Sequence, residues 1–409
     1  MDSGVFLSRD LRPLPISISA YSILSALGAG VAPTWDAIET GSSGLRPNDF
    51  PGCELDTWIG RVPDERLAPL PADLDGLESR NNRLALAGLL SDGFLERARA
   101  AVESFGARRV GVIMGTSTSS IGRTEEGYGR LLEGDAFPAE WIQPEVQNPH
   151  SPGHFVALVS GAAGPSMTIG TACSSSAKVF ASAARWLHLG LVDAVVVGGV
   201  DSLCLSVLYG FHSLQLVSAR PCRPFAVDRD GISIGEAAGF ALVTRPGDLE
   251  GRLFLAGFGE SSDAHHMSSP HPDGLGAELA IRDALDRAGL RPKDIGYINL
   301  HGTATRANDV VEAAVLKRCF PETVLASSTK GWTGHTLGAA GIVEAVMTME
   351  SLLRQTAPGT LNAGRLFDDC PASILTGNRE YRARTAMSNS FGFGGSNCSL
   401  VFSSEPTWN

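Results

Sequence analysis

Basic charge is scarce in this 409-residue chain: 33 lysines and arginines stand against 44 aspartates and glutamates, a net charge of −11 at pH 7. That balance argues against nucleic acid as a ligand, because a phosphate backbone is bound by a basic face. CxxC pairs are missing, and the seven cysteines at 53, 173, 204, 222, 319, 370 and 398 are odd in number and widely spaced. Neither a disulfide framework nor a zinc site is indicated, so no metal is expected. Long apolar runs are also missing. Residues 14–35 carry no charge, but their prolines, serines and glycines make a poor membrane span. The opening MDSGVFLSRD has early acidic residues and no apolar segment of the signal-peptide kind. A cytoplasmic protein is expected.

What is present is enough apolar material for a large core: 43% of residues are hydrophobic and 19% charged. Glycine, at 47 residues, clusters in runs such as Gly392-Phe393-Gly394-Gly395, where it permits tight turns and close backbone approach. Two regions share one plan. In the first, residues 109–116 (RVGVIMGT) read as a buried strand. Residues 166–171 lead into a tight turn, residues 177–187 follow with helical spacing, and residues 193–199 (DAVVVGG) form another buried strand. In the second, residues 295–300 (IGYINL) form a strand ending at His301, and residues 326–329 lead into a Gly/Thr-rich turn. Residues 337–353 are apolar nearly all round and predict a buried helix, and strands at 385–390 and 397–403 close the chain. Alternating strands and helices imply an α/β protein with sheets covered on both faces. Halves at about residues 15–250 and 251–403 suggest an internal duplication with five-layered packing. No Gly/Ser- or Pro-rich linker separates them, so they should form one body. Residues 45–77, rich in Pro, Gly and Asp, read as a surface excursion.

Six of the cysteines have the ordinary role of a free cysteine, a small buried hydrophobe. Cys173, in Gly170-Thr-Ala-Cys-Ser-Ser-Ser176, sits between a strand and a helix that begins near Ser174. A thiol at a helix N-terminus feels the positive end of the dipole, so ionisation below the reference value of about 8.5 is expected. Unpaired N–H groups there can hold an oxyanion. His301 follows a strand in His-Gly-Thr-Ala-Thr305, and His335 lies in Lys330-Gly-Trp-Thr-Gly-His335 ahead of the apolar helix. The other seven histidines lack such settings, and His265 and His266 read as a surface pair. Lys330, in apolar and glycine-rich surroundings, predicts a partly buried cation that needs a partner. Glu344, a carboxylate on the apolar helix, is the candidate.

Five ordered stretches then point one way: GTACSSS around Cys173, RPFAVDRDGISIGEAAG at 223–239, HGTATRAND at 301–309, STKGWTGHTLGAAG at 328–341 and NSFGFGGSN at 389–397. Over nearly its whole length the chain resembles the β-ketoacyl-acyl-carrier-protein synthases, condensing enzymes of the thiolase fold. The resemblance implies a thiolase-like, duplicated five-layered α-β-α-β-α fold, with residues 1–250 carrying the nucleophile and 251–409 both histidines. It implies that Cys173 takes an acyl chain while His301 and His335 drive decarboxylation of a malonyl unit and stabilise its enolate. Lys330 and Glu344 match a supporting pair, and Thr303 and Thr305 match positions that hydrogen-bond a phosphopantetheine arm. Phe393, between Gly392 and Gly394, matches a gatekeeper whose N–H joins that of Cys173 in an oxyanion hole.

Two departures touch the substrate: Ala-Cys-Ser-Ser replaces the frequent Ala-Cys-Ala-Ser, and Gly235-Glu-Ala237 replaces Gly-Glu-Gly. The stretch GWTGHTLGAAG resembles synthases of the aryl polyene type at least as much as fatty-acid enzymes. The implied partners are acyl carrier protein and, as a dimer, a second copy or a chain-length-factor-like paralogue. No free cofactor is implied, since substrates arrive on phosphopantetheine. A degradative thiolase would need a second cysteine as base, and GFGGSN has none before Cys398. A non-condensing acyltransferase, or a silent subunit that shapes another synthase's pocket, is the alternative. Docking an acidic carrier on an acidic chain calls for a local basic patch, with Arg80, Arg83, Arg123 and Arg220 as candidates.

Overall fold

The computed structural model describes residues 15–132, 137 and 139–406. Val- and Ala-rich stretches without charge become strands buried on both faces, as in sheets covered by helices on either side. The first half contributes β1 (Ile16–Ser25), β2 (Val110–Gly115), β3 (Ser166–Ile169), β4 (Ala194–Asp201) and β5 (Ala237–Thr244). The second contributes β6 (Leu253–Ser262), β7 (Tyr297–Asn299), β8 (Leu325–Ser327), β9 (Thr385–Gly392) and β10 (Ser396–Ser403). Strand order is β3-β2-β4-β5-β1 in one half and β8-β7-β9-β10-β6 in the other, the same order twice. The pairing senses repeat as well. β2 is parallel to β3 and β4 as β7 is to β8 and β9, and the remaining neighbours in each half are antiparallel. β1 and β6 join through residues 16–18 and 253–255, so the ladder passes between halves without a break.

Helices α1 (Arg80–Leu90), α2 (Phe94–Phe105) and α3 (Ser151–Ser160) cover the outside of the first half. Between the halves lie α4 (Ser175–His188) and, in the second half of the sequence, α7 (Ala340–Arg354), each touching strands of both halves. The outside of the second half is covered by α5 (Leu275–Ala288) and α6 (Arg306–Cys319). The result is the expected five-layered α-β-α-β-α body. Position in the middle layer explains the composition of α7: every residue from 340 to 352 is buried, so no polar stripe is left to face water.

The two central helices approach so closely that side chains are excluded at their starts. A Cβ on Gly341 would lie 2.3 Å from the Ala177 nitrogen, and one on Gly115 would lie 2.4 Å from the Ser176 nitrogen. Gly341 thus brings the start of α7 against α4, and Gly115, at the end of β2, seats the start of α4, and with it Cys173, on the sheet.

Three strands carry no mark in the sequence reading: β1, β5 and β6. Residues 45–77 are more than an excursion. Leu45, Ile59, Val62, Leu67, Leu70 and Leu77 are buried, and strand Trp58–Gly60 pairs with Ile234–Gly235. Leucines spaced among prolines are enough to bury the segment although it lacks regular periodicity.

Gly341→Ala is expected to destabilise the protein by about 2–3 kcal/mol through overpacking between α4 and α7. Gly76→Ala, where nothing stands within 4 Å of the added carbon, should stay within about 0.5 kcal/mol of the parent. Urea denaturation of both variants checks this, and equal stabilities would contradict the packing argument.

Candidate active site

Cys173 occupies the turn Ala172–Ser174 between β3 and α4. Ala172 takes a left-handed φ of 52°, a conformation that costs energy and is held by its surroundings. The hydroxyls around it do the holding: Ser174 Oγ donates to the Thr171 carbonyl at 2.9 Å and Ser175 Oγ to the Ala172 carbonyl at 2.6 Å. Turn and helix start together aim the sulfur into a cavity of about 390 Å³, whose lining includes His301, His335, Thr303, Thr305, Gly392 and Phe393.

His301 stands just beyond the end of β7. Its N–H and that of Gly302 both donate to Glu312, at 2.7 Å each, which clamps the loop. His335 is fixed by backbone bonds on both sides, its N–H to the Ser233 carbonyl at 2.8 Å and its carbonyl from the Gly235 N–H at 2.9 Å. The imidazoles lie nearly perpendicular with centroids 5.5 Å apart, and His335 Nε2 is 3.0 Å from Cys173 Sγ. Lys330 is buried; its Nζ meets Glu344 Oε1, the His301 carbonyl at 2.5 Å and His301 Nδ1 at 3.3 Å.

These contacts decide the tautomers. An ammonium can only donate, so His301 Nδ1 is the acceptor and its proton sits on Nε2. The Leu337 N–H donates to His335 Nδ1 at 3.2 Å, which again puts the proton on Nε2, toward the sulfur. Burial holds both imidazoles well below the usual histidine range, and Lys330 pushes in the same direction. Two neutral N–H donors therefore face one cavity, a set suited to a developing negative charge.

The thiol departs from the sequence expectation. Burial pushes Cys173 up to about 11, while Lys330, the Phe393 N–H and its own N–H pull the other way. Full desolvation outweighs the first-turn dipole, so the resting sulfur keeps its proton. Burial raises Glu344 as well, to about 7, with Lys330 drawing it back down. Cys173 and the two imidazoles also form a trio of metal-ligand type, with ligand atoms within 4.8 Å of one another. The adjacent buried ammonium opposes a second cation there.

The other expected positions divide. Thr303 and Thr305 line the cavity with hydroxyls 2.9 Å apart, and the Phe393 ring meets that of Phe211 in a tilted contact with centroids 5.8 Å apart. Gly394 is exposed and outside the lining, its N–H bound to the Met267 carbonyl at 2.8 Å; Gly395 lines the cavity instead. Cys398 is buried in β10 away from the lining. The four arginines named for carrier docking each have a carboxylate partner. Arg80 is spent on buried Glu236 and on Asp64, Arg83 on Glu78, Arg123 on Glu126 and the Trp141 ring, and Arg220 on Asp228. Four groups escaped the sequence reading: Glu312, Phe391 beside His301, Glu236, and Asp201. Asp201 accepts from Thr116, Ser117, Thr118 and the Gly338 N–H and so ties the start of α7 to the end of β2. A carboxylate in an otherwise apolar or hydroxyl-rich stretch was the available signal.

Comparison with known proteins agrees with this architecture. Residues 14–248 match the family model described as Beta-ketoacyl synthase, N-terminal domain, and residues 254–364 match its C-terminal domain. A 3-oxoacyl-acyl-carrier-protein synthase 2 of Vibrio cholerae is 32% identical over 95% of this chain and 98% of its own. The mitochondrial 3-oxoacyl-acyl-carrier-protein synthase of Arabidopsis thaliana is 33% identical over 95% and 93%. Among solved structures, a ketosynthase (ApeO) in complex with its chain length factor (ApeC) from Xenorhabdus doucetiae superposes with a TM-score of 0.87. It is 38% identical and covers 95% of this chain and 98% of its own. The chain belongs to the β-ketoacyl synthase family, the thiolase-fold enzymes that form carbon–carbon bonds by condensation.

Alkylation of Cys173 by iodoacetamide, followed on its own peptide, should still be accelerating above pH 9, because the thiol titrates near 11. A plateau near the ordinary thiol value of about 8.5 would contradict the burial argument.

Proposed function

We propose that this chain extends an acyl group held as a thioester on Cys173 by a two-carbon unit from a malonyl group carried on phosphopantetheine. The observation that carries the reading is the convergence of one thiol and two neutral Nε2–H imidazoles on a single cavity. In the first half-reaction the Cys173 sulfur attacks the incoming thioester carbonyl. Its proton leaves with the departing carrier thiol, so a thioester is exchanged for a thioester. The N–H groups of Cys173 and Phe393, both of which favour negative charge at the sulfur, hold the transient oxyanion. In the second, the malonyl carboxylate leaves as CO₂ and its bonding pair becomes an enolate, held by His301 and His335. The enolate carbon attacks the Cys173 thioester, the C–S bond breaks, and the departing thiolate takes a proton from solvent. Decarboxylation supplies the carbanion, so no strong base is required. Thr303 and Thr305 take the pantetheine arm, and Phe393 gates the acyl channel.

The two halves, residues 1–250 and 251–409, are read as duplicated units, an assignment supported by the repeated strand order. For the pathway we favour polyene or polyketide elongation over housekeeping fatty-acid synthesis. The GWTGHTLGAAG stretch and the 38% identity to a ketosynthase that works with a chain length factor support this. The same likeness favours a chain-length-factor-like paralogue as dimer partner over a second copy, with acyl carrier protein as donor of both substrates. Among the described residues no helix is long and apolar enough to cross a membrane, and all seven cysteines are free, which suits the reducing cytoplasm.

Cys173→Ala should abolish condensation and retain malonyl decarboxylation, whereas His335→Ala should lose both, each by at least about 100-fold. Product analysis with malonyl-carrier separates the two reactions, and parallel loss of decarboxylation in the cysteine variant would contradict the scheme. Phe393→Ala should keep acylation of Cys173 while condensation falls about tenfold. Unchanged rates of both would remove Phe393 as the gate.

A further inference from the structure

The charged side chains in the cavity lining are Asp230, Asp263 and Arg306, beside the two neutral histidines. Both carboxylates are engaged. Asp230 is met by Arg223 at 2.8 Å and Ser218 at 2.6 Å, and Asp263 by Asn397 at 2.8 Å and the His271 N–H at 3.1 Å. Arg306 is exposed, and among the described residues nothing forms an ion pair or hydrogen bond with its guanidinium. On a protein whose arginines are mostly spent on carboxylates, this is an uncompensated cation at the mouth of the catalytic cavity.

Its backbone is held firmly. Arg306 is the first residue of α6, a 14-residue helix, and its carbonyl accepts from Arg229 Nη2 at 3.4 Å. Arg229 in turn pairs at 3.3 Å with buried Asp309, which also accepts from the N–H groups of Phe225 at 2.7 Å and Ala304 at 3.2 Å. The first-turn N–H groups and the helix dipole add to the positive field of the side chain. Between His301 and Arg306 the chain climbs from floor to mouth. His301 is 2% exposed, Thr303 7%, Thr305 is half-buried and Arg306 is in solvent.

A phosphopantetheine thioester has matching chemistry along its length: a reacting carbonyl at one end, two amides in the middle and a phosphate at the other end. With the carbonyl at Cys173 and the amides beside Thr303 and Thr305, the phosphate emerges where Arg306 stands. We propose that Arg306, with the first-turn N–H groups of α6, binds the phosphate of the phosphopantetheine arm and makes the enzyme selective for phosphorylated donors. This rests on the reading of the site as pantetheine-fed. It also locates an electrostatic contact with the donor at the arm itself.

The test compares acyl-pantetheine with acyl-phosphopantetheine, donors that differ only in the phosphate, in the full-length wild type, Arg306→Ala and Arg306→Lys. Wild type should show a KM about tenfold lower for the phosphorylated donor, the size of one exposed charge-assisted contact. In Arg306→Ala the two KM values should converge, and Arg306→Lys, which keeps the charge, should restore part of the difference. Equal KM values in wild type, or a preference that survives in Arg306→Ala, overturns the proposal. So does a loss confined to coenzyme A thioesters with the phosphopantetheine donor unmoved. Failure of wild type to acylate Cys173 from either donor overturns the pantetheine-fed reading itself, and the proposal with it.

Discussion

An ammonium withdrawn from water must be met by acceptors, and the way Lys330 meets that requirement organises the whole catalytic face. Its three donors go to the Glu344 carboxylate, the His301 carbonyl and His301 Nδ1. One link ties the start of the Lys330–Thr333 helix to α7, the second fixes the loop after β7, and the third selects the tautomer that aims Nε2–H into the cavity. The same charge helps keep both imidazoles neutral and draws Cys173 toward its anion against the pull of burial. Replacing one partner of such a pair leaves an uncompensated buried charge, at a cost of about 3–5 kcal/mol.

The repeated strand order is what brings the thiol and the two imidazoles together. β3 leads through a turn into α4, and β8 leads through a turn into α7, in equivalent positions of the two halves. Cys173 and His335 therefore stand near corresponding helix starts, and the close approach of those starts, allowed by Gly341, leaves them 3.0 Å apart. His301, at the end of β7, approaches from the neighbouring strand, braced from behind by Glu312. Strand ends of both halves thus bring the thiol and the two imidazoles to one cavity, whose lining includes exposed Arg306.

Much of this was legible in the sequence because local pattern and chemistry coincide there. Cys173 at a turn, His301 after a strand, and Lys330 and Glu344 as charges in apolar surroundings all declare themselves within a few residues. The helix at residues 337–353 was visible from its unbroken apolar character. What escaped depends on distant partners. Arg80 reads as a free surface cation until Glu236, 156 residues away, folds against it. Asp201 and Glu312 hold loops outside their own strand or helix, and their character as lone carboxylates marks them without naming those partners. The direction of the Cys173 shift cannot be read from the motif, because dipole position is local whereas the extent of desolvation is set by packing of the whole middle layer. β1, β5 and β6 went unmarked because no chemistry-bearing motif draws attention to them.

The central claim is that His301 and His335 are neutral Nε2–H donors fixed by Lys330 and the Leu337 N–H. Nitrogen NMR of protein labelled with ¹⁵N-histidine, with the two residues assigned by single His→Gln variants, reads this directly. The account predicts two imidazoles with unprotonated Nδ1 and protonated Nε2 whose shifts stay constant between about pH 5 and 8, the range in which ordinary histidines titrate. Titration of either residue near the ordinary value of about 6.5, or a proton on Nδ1, would contradict it.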